Sequence, residues 1–232
     1  MHKYIQSFFT LLIVLTNTNF IIADTYKIAF GSCLDQDYPQ PIWNSIKKEG
    51  IDAFIFLGDN VYGDVPSGHL DKMKMAYSKQ KKMIPKWLFD IDLHVIWDDH
   101  DYGINDGGGA YSLKENAQDM YLDFWNIPTN DIRRTRAGIY TNKMINIDGF
   151  KVHLILLDTR YFRSDLYKTI GISPVYKKNI SPDATILGQD QWAWLEETIN
   201  KKADLVIIST SIQLLATSHR FEKWSNFPHE HI

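Results

Sequence analysis

Side chains that can bind a metal ion or transfer a proton follow directly after short apolar segments of this sequence. Cys33 comes after the apolar residues 26–30, and Asp59 with Asn60 comes after residues 52–57. Three later apolar segments are followed in the same manner by Asp98, Asp99, His100 and Asp101, by Asp158 and Arg160, and by Ser211 and Gln213. In open α/β sheets, ligands bind in the crevice beyond the carboxyl ends of the strands. The pattern therefore predicts one site that is assembled from several strand ends.

Asp59 and Tyr62 form the first candidate pair of metal ligands. A carboxylate at a strand end, with a tyrosine three positions later, can direct two oxygens at one centre. A tyrosinate favours a hard and highly charged cation such as ferric iron, because the phenol pKa of about 10 has to be overcome. The alternative is a turn at Asp59 with Tyr62 packed against its neighbours, and the pair alone does not decide between the two.

The hexapeptide WDDHDY at residues 97–102 places three carboxylates around one imidazole. Such a group repels itself unless cations neutralise it, so we interpret the segment as part of a metal site. An exposed acidic turn is the alternative. An EF-hand calcium loop beginning at Asp99 is not supported, because Gly103 and Ala110 stand where that loop needs oxygen ligands.

The N-terminus has the pattern of an export signal. A basic start is followed by the apolar residues 8–15, and the small residue Ala23 precedes Asp24. The apolar segment is shorter than the about 20 residues that cross a bilayer. We therefore expect residues 1–23 to be a signal peptide, and residues 24–232 to form one exported domain in an extracellular, periplasmic or secretory-pathway compartment. A buried first strand or an uncleaved anchor is the alternative.

Cys33 is the only cysteine of the chain and has no partner for an internal disulfide. Oxidising compartments favour paired cysteines, so an exported chain with one thiol needs an explanation. Cys33 is either a buried small hydrophobic residue or a thiolate that a bound metal protects from oxidation.

The composition describes one globular chain with a sizeable core. Its 232 residues are 44% hydrophobic and 13% aromatic, which excludes a disordered chain. A formal net charge of −3 provides no basic surface for a nucleic-acid backbone. Walker A, Rossmann, G-x-S-x-G and H-E-x-x-H motifs do not occur in the sequence.

Apolar segments alternate with helical patterns along the chain. Strands are predicted at residues 26–30, 52–57, 93–97, 151–157 and 204–209. Helices are predicted at residues 42–48, 70–89, 113–125 and 188–202, and the second of these is expected to be interrupted or to end near Pro85. Residues 138–147 and 150–157, joined at Asp148-Gly149, predict an antiparallel hairpin. The result is an α/β domain with mixed sheet.

Several motifs, taken together, resemble the alkaline phosphatase D (PhoD-like) family of the calcineurin-like metallophosphoesterases. They are FGSC at 30–33, FLGDNVYGD at 56–64, IWDDHDYG at 96–103, LDTR at 157–160, LGQDQW at 187–192 and SHRFEKWSNFPHE at 218–230. The resemblance runs from about residue 26 to the end of the sequence. It implies a fold of two packed mixed sheets flanked by helices.

The resemblance also implies a set of metal ligands. Carried over by motif, Cys33, Asp59 and Tyr62 would bind Fe³⁺, and Asp59 would bridge to a second site that holds Ca²⁺ in at least some members. Asp99 occupies a metal-ligand position, and His100 occupies the position of the histidine that meets the phosphate.

The implied activity is hydrolysis of phosphate monoesters or diesters at a two-metal site. Two cations cancel the negative charge of the ester and lower the pKa of a bridging water. His100 and Arg160 are the expected catalytic residues, and Asn60 and Arg160 are expected to contact the substrate, with Arg160 clamping two phosphoryl oxygens. The expected substrate is a small-molecule, lipid or polymer phosphate ester, without nucleic-acid binding and without a transmembrane span beyond the leader.

The loops at residues 104–112 and 162–186 are expected to set specificity. Their partly aromatic and partly basic rim, which is equally compatible with ordinary surface, consists of Tyr161, Phe162, Tyr167, Tyr176, Lys177 and Lys178.

The family pattern continues to a Gly-Asp-x-His motif with further ligands, whereas this sequence stops at Ile232. We therefore expect the domain to be incomplete at its C-terminus and its activity to be in doubt. Two other hypotheses stay open at this point. One is a truncated, non-catalytic relative that acts as a binding or regulatory protein. The other is a calcium-dependent binding domain built on the acidic strand ends.

Overall fold

The computed structural model describes residues 25–170 and 175–231. The predicted signal peptide, residues 1–23, lies outside the described residues. Within the described ranges, no helix is long and apolar enough to cross a membrane.

The first sheet is parallel and three-stranded, with β2 in the middle. Its members are β1 (Ile28–Gly31), β2 (Ala53–Leu57) and β3 (Asp92–Ile96). Ala53 of β2 stands opposite Ile28 on one side and opposite Asp92 on the other. Because all three strands run in the same direction, the residues that follow them meet at one edge of the sheet.

The second sheet is mixed, with β5 in the middle. Its members are β4 (Thr141–Ile147), β5 (Phe150–Leu156) and β8 (Leu205–Ser209). β5 is antiparallel to β4 and parallel to β8. Between β5 and β8 in the chain, the short strands β6 (Tyr167–Lys168) and β7 (Tyr176–Lys177) form a separate antiparallel pair.

Five α-helices accompany the strands in the described part of the chain. They are α1 (Ile42–Lys48), α2 (Asp71–Met83), α3 (Asp99–Tyr102), α4 (Lys114–Phe124) and α5 (Gly188–Ile199). Short 3₁₀ turns lie at Lys86–Asp90, Ile132–Arg134 and Trp224–Asn226.

β5 separates two hydrophobic cores. Leu154 and Leu156 belong to the larger core, together with Phe56 of β2, whereas Ile155 belongs to the smaller core, with Leu195 of α5. Successive side chains of a strand point to opposite faces, so β5 presents one apolar face to the first sheet and the other to α5. This is why its sequence is apolar on both faces rather than alternating.

The helix predicted over residues 70–89 ends just before Pro85, as the sequence indicates. α2 ends at Met83, and Ile84 has the extended backbone (φ −64°, ψ 123°) that the residue before a proline prefers. A 3₁₀ turn at Lys86–Asp90 then leads into β3. The predicted end of the helix near Pro85 is therefore confirmed, and the residues after Pro85 form a 3₁₀ turn instead of continuing the α-helix.

The predicted hairpin is present and turns at the expected residues. Asp148 and Gly149 both have positive φ, at 48° and 95°, as a type I′ turn between β4 and β5 requires.

Candidate metal centre

The loops after β1 and β2 lie against each other through their backbones. Cys33 N donates to the carbonyl oxygen of Gly58 at 3.1 Å, and Leu34 N donates to that of Asp59 at 2.8 Å. Cys33 and Asp59 adopt positive φ, at 61° and 52°, which is uncommon for residues other than glycine. Such backbone strain recurs at functional sites, and here it occurs at two of the predicted ligands.

Gly58 allows the third strand end to approach the first two. A Cβ atom at position 58 would lie 2.5 Å from the Cβ atom of Asp98, and φ is 103°. Only glycine tolerates both the contact and the backbone conformation.

Cys33, Asp59 and Tyr62 converge on one point, as the sequence predicted for a metal site. The Cys33 Sγ atom lies 3.6 Å from Asp59 Oδ2, and the Tyr62 hydroxyl lies 3.5 Å from the same oxygen. The structure thus brings together a sulfur, a phenol and a carboxylate. Their role as ligands stays a prediction.

Asp59 also belongs to a second group, with Asp99 and His100. Each of the three offers one ligand atom, and these atoms lie within 4.8 Å of one another. The backbone N–H of His100 donates to Asp59 Oδ1 at 3.3 Å. Asp59 therefore stands between two sets of donors, which is the position that a bridging carboxylate needs.

His100 is held in place by two contacts. Its Nδ1 atom lies 2.8 Å from Asp64 Oδ1, and its ring packs on that of Tyr62 with centroids 4.4 Å apart. Asp64, in the FLGDNVYGD motif, was not selected from the sequence, and its spacing from Asp59 carries no signal for a histidine partner.

The carboxylates of residues 98–101 have three different tasks. Asp98 precedes α3 and binds Arg160, and both Asp98 and Asp99 line the cavity. Asp101 points inward, where it accepts hydrogen bonds from the backbone N–H groups of Asp98 at 2.6 Å and Asn60 at 3.1 Å. Only Asp99 of the three stands in the candidate ligand cluster around Asp59.

Asn60 lies beneath the site. Its side chain is fully buried and donates to the carbonyl oxygen of Ile96 at 2.9 Å and to Asp101. The predicted contact between Asn60 and a substrate finds no support in this position, because its amide hydrogens are already bound within the protein.

Arg160 is buried behind the cavity, with 1% of its surface exposed. Its Nε donates to Asp98 Oδ1 at 2.6 Å, and its remaining nitrogens bind Glu222 and the carbonyl oxygen of Gly107. Asp99 lies 3.9 Å away. The Arg160 guanidinium is already bound to these protein groups, so its predicted contact with phosphate stays a prediction.

Asp158 is a structural residue. It is fully buried and accepts hydrogen bonds from Trp97 Nε1 at 2.8 Å and from the backbone N–H groups of Ile139 at 2.8 Å, Arg160 at 2.9 Å and Tyr161 at 2.9 Å. The polarity of this strand end therefore serves the fold rather than the chemistry.

A cavity of about 520 Å³ opens at these strand ends. Its lining includes Ser32, Cys33, Asp59, Asp99, His100, Asn105, Asp106, Ser211, Gln213 and Glu222. Ser211 and Gln213, which follow β8, are thus in the cavity as the strand pattern indicated. Asp106 and Glu222 were missed as individual residues, although each lies in a segment that the sequence analysis had marked.

The predicted specificity loops line a neighbouring cavity of about 560 Å³. Tyr161, Phe162 and Tyr167 are among its lining residues, together with Gly109. Tyr176 instead donates its hydroxyl proton to Asp106. The two loops therefore meet beside the metal centre.

Burial favours the protonated forms of the predicted Fe³⁺ ligands. Desolvation, followed by the charge of Asp99, raises the pKa of Asp59 to about 6. Desolvation is also the largest cause that raises the pKa values of the Cys33 thiol and the Tyr62 phenol. A cation among the three donors would relieve this cost, since it favours every deprotonated form at once. The donor set therefore fits a bound metal ion.

For His100, the neighbouring carboxylates together have a larger effect on the pKa than burial has. Burial lowers its pKa, but the hydrogen bond that Nδ1 donates to Asp64 and the charges of Asp99 and Asp59 outweigh that effect and raise the pKa to about 9. The imidazole is therefore protonated at neutral pH.

Comparison with known proteins finds similarity to alkaline phosphatase D in both sequence and fold. No family model matches the chain. Alkaline phosphatase D of Bacillus subtilis (strain 168) is 24% identical over 235 residues, which cover 85% of this chain and 38% of that protein. A solved structure described as the structure of PhoD superimposes with a TM-score of 0.59 at 18% identity and covers 88% of this chain and 46% of the other. The chain thus spans less than half the length of either protein.

The superposition confirms the predicted fold class, two packed sheets flanked by helices as in a metallophosphoesterase. Both comparisons agree with the resemblance that the motifs indicated.

Proposed function

We propose, from the premise that the chain is PhoD-like in sequence and fold, that it hydrolyses phosphate esters with the help of bound metal ions. Homology supports a phosphoric ester hydrolase at the level of the family. Monoesters and diesters of small molecules, lipids or polymers are the proposed substrates. We further propose that the protein acts after export.

One observation carries the proposal: donors from three chain segments meet in one cavity. Cys33 follows β1, Asp59 and Tyr62 follow β2, and Asp99 and His100 follow β3. Asp59 contacts Cys33 and Tyr62 on one side and lies near Asp99 and His100 on the other, so a cation bound here would favour the deprotonated forms of these donors.

The donors differ in character and suggest two different ions. Cys33, Asp59 and Tyr62 would hold Fe³⁺, because phenolate and thiolate compensate a high positive charge. Asp59 and Asp99 would hold a second, divalent ion, and carboxylates suit Ca²⁺. When bound, the two cations would neutralise the charge of the phosphoryl group and activate a water molecule.

His100 is the proton donor of the proposed reaction. The hydrogen bond to Asp64 favours its protonated form, and in that form it could bind a phosphoryl oxygen or protonate the leaving oxygen. Asp64 binds Nδ1, which orients the ring and directs Nε2 away from Asp64. The protein thereby fixes the direction in which Nε2 can donate.

The proposal is tested by an Asp59→Asn substitution. Because Asp59 stands between both donor sets, we expect the metal content to fall and the hydrolysis of p-nitrophenyl phosphate and bis(p-nitrophenyl) phosphate to drop at least 100-fold. Asp119→Asn, on the exposed face of α4, is the matched control and should keep both properties.

An Asp59→Asn protein with full activity would contradict the proposal. Metal binding without turnover in the unsubstituted protein would instead favour a non-catalytic binding or regulatory protein.

A further inference from the structure

Two arginine side chains are buried side by side behind the metal centre. Arg160 and Arg163 follow β5, and each exposes only 1% of its surface. The Arg163 guanidinium donates to the carbonyl oxygens of Ser164 and Gly107, both at 2.7 Å. Two buried guanidinium groups are costly unless anions compensate them.

Glu222 supplies one of these anions. Its Oε1 accepts a hydrogen bond from Arg160, and its Oε2 lies 3.7 Å from Arg163 Nε. Among the described residues, neither this Nε nor Oε2 has a hydrogen-bond partner, although both atoms are buried. Glu222 therefore hydrogen-bonds Arg160 but makes only a longer ion pair with Arg163, whose Nε is left without a hydrogen bond among these residues.

The position of Glu222 is also electrostatically unfavourable. Oxygens of Glu222, Asp99 and Asp106 lie within 4.8 Å of one another, and like charges at this distance repel. Burial raises the pKa of Glu222, while Arg160 and Arg163 act in the opposite direction. Attraction by Arg160 and Arg163 therefore keeps the Glu222 carboxylate in place despite the repulsion from Asp99 and Asp106.

The chain that carries Glu222 is loosely packed on its N-terminal side. Leu215 and Phe221 expose 88% and 66% of their surface, and Phe221 lines the same cavity as Glu222. Movement of this segment away from the cavity would therefore uncover little buried apolar surface.

We propose that Arg160 and Arg163 form a binding site for a phosphoryl group and that the Glu222 carboxylate occupies this site until a ligand displaces it. A phosphoryl group offers three oxygens in a tetrahedral arrangement, so it could hydrogen-bond both guanidinium groups, whereas the Glu222 carboxylate hydrogen-bonds only Arg160. Glu222 is then an internal competitor for the substrate. The inference rests on the proposed function and adds a regulation of the same site.

The test uses the Glu222→Gln substitution, with inorganic orthophosphate as the probe. Glutamine keeps the size of the side chain but removes its charge, so it competes less for the arginines and no longer repels an incoming anion. We expect isothermal titration calorimetry on the metal-containing protein to give about tenfold tighter orthophosphate binding. Glu197→Gln, on the exposed surface of α5, should bind as the unsubstituted protein does.

Two further variants distinguish an effect on orthophosphate binding from an effect on folding. Glu222→Asp keeps the charge but withdraws it from Arg160, and it should also tighten orthophosphate binding. Arg163→Lys in the Glu222→Gln protein should reverse the gain without changing the metal content, because an ammonium group lacks the fork that binds two oxygens.

Unchanged or weaker orthophosphate binding in both Glu222 variants would overturn the inference and assign Glu222 to positioning Arg160. Absence of orthophosphate binding in all variants would overturn it as well. Hydrolysis is measured separately, so a protein that binds orthophosphate more tightly as Glu222→Gln but hydrolyses no ester would contradict the proposed function alone.

Discussion

At the scale of single residues, the same residue type has different tasks at neighbouring positions. Asp98 binds a buried arginine, Asp99 faces the cavity and Asp101 supports the backbone from below. The sequence indicates that these carboxylates crowd together but not which one faces the solvent. That division depends on α3, a single helical turn whose capping box pairs Asp98 with Asp101.

Asp64 is predicted to set the pKa of His100. The Asp64→Asn substitution removes the charge next to Nδ1 but keeps an acceptor, so the pKa of His100 should fall from about 9 by about one to two units. NMR titration of the imidazole signals in the metal-free protein measures the shift.

The sign of the effect on stability follows from the raised pKa. A protonated His100 stabilises the fold fully below the ordinary histidine pKa of about 6.5, and this contribution is lost as the pH rises through about 9. In Asp64→Asn the loss should occur at lower pH. An unchanged titration would show that Asp64 does not control His100.

At the scale of elements, Asp158 connects strands of both sheets. It follows β5 and accepts hydrogen bonds from Trp97, directly after β3, and from Ile139, shortly before β4. Gln191 of α5 binds the backbone of the same residue through both atoms of its amide, at 2.8 Å to the N–H and 2.7 Å to the carbonyl oxygen. Asp158 thus links the end of β5 to the end of β3, to the segment before β4 and to α5.

Replacement of Asp158 by alanine is predicted to destabilise the protein. It would leave four buried N–H groups without acceptors, and each such group costs about 1–3 kcal/mol. The free energy of unfolding in urea should fall by about 3 kcal/mol or more. Asp119→Ala on the exposed face of α4 should change it by about 0.5 kcal/mol or less. A similar small change in both variants would disprove this role.

Glu230 has a comparable task near the end of the described chain. Its carboxylate accepts hydrogen bonds from the backbone N–H of Ile186 at 2.7 Å and from Trp192 Nε1 at 2.6 Å. The FPHE tetrapeptide at residues 227–230, which contributed to the family resemblance, therefore anchors the segment to the start of α5. In this structure its glutamate stabilises the fold and does not line the cavity.

At the scale of the whole molecule, the candidate metal centre brings together segments that are distant in the sequence. Cys33, Asp59 and Asp99 belong to three chain segments, and no disulfide joins them. A ligand that binds only the folded state stabilises it by mass action, by about 4 kcal/mol at a thousandfold excess over its Kd.

Removal of the metal ions is therefore predicted to lower the Tm by several degrees. Thermal unfolding before and after treatment with a chelator, with metal analysis of both samples, measures the difference. Cys33→Ser should show a smaller difference, because it lacks the predicted thiolate ligand, whereas Asp119→Asn should show the full one. Equal Tm values after verified metal loss would contradict the prediction.

The strands of the two larger sheets and the place of the candidate site could be predicted from the sequence, because both follow from local patterns. β2 is apolar at every position from Ala53 to Leu57 and ends in glycine, which predicts a central strand followed by a turn. The polar residues after such strands predicted a site at the sheet edge. The one-turn helix α3 and the short pair β6–β7 were not predicted, since neither has a periodic pattern long enough to detect.

The sequence by itself thus determined which segments form strands, that their polar ends gather, and which family the motifs resemble. Only the tertiary structure decided that Asn60 and Asp158 point into the protein, that Arg160 is bound to Asp98 and Glu222, and that Glu222 borders the metal centre. The reason is physical. Strand patterns arise from neighbours in the chain, whereas the direction of a polar side chain depends on which hydrogen-bond partners the packed elements bring within reach.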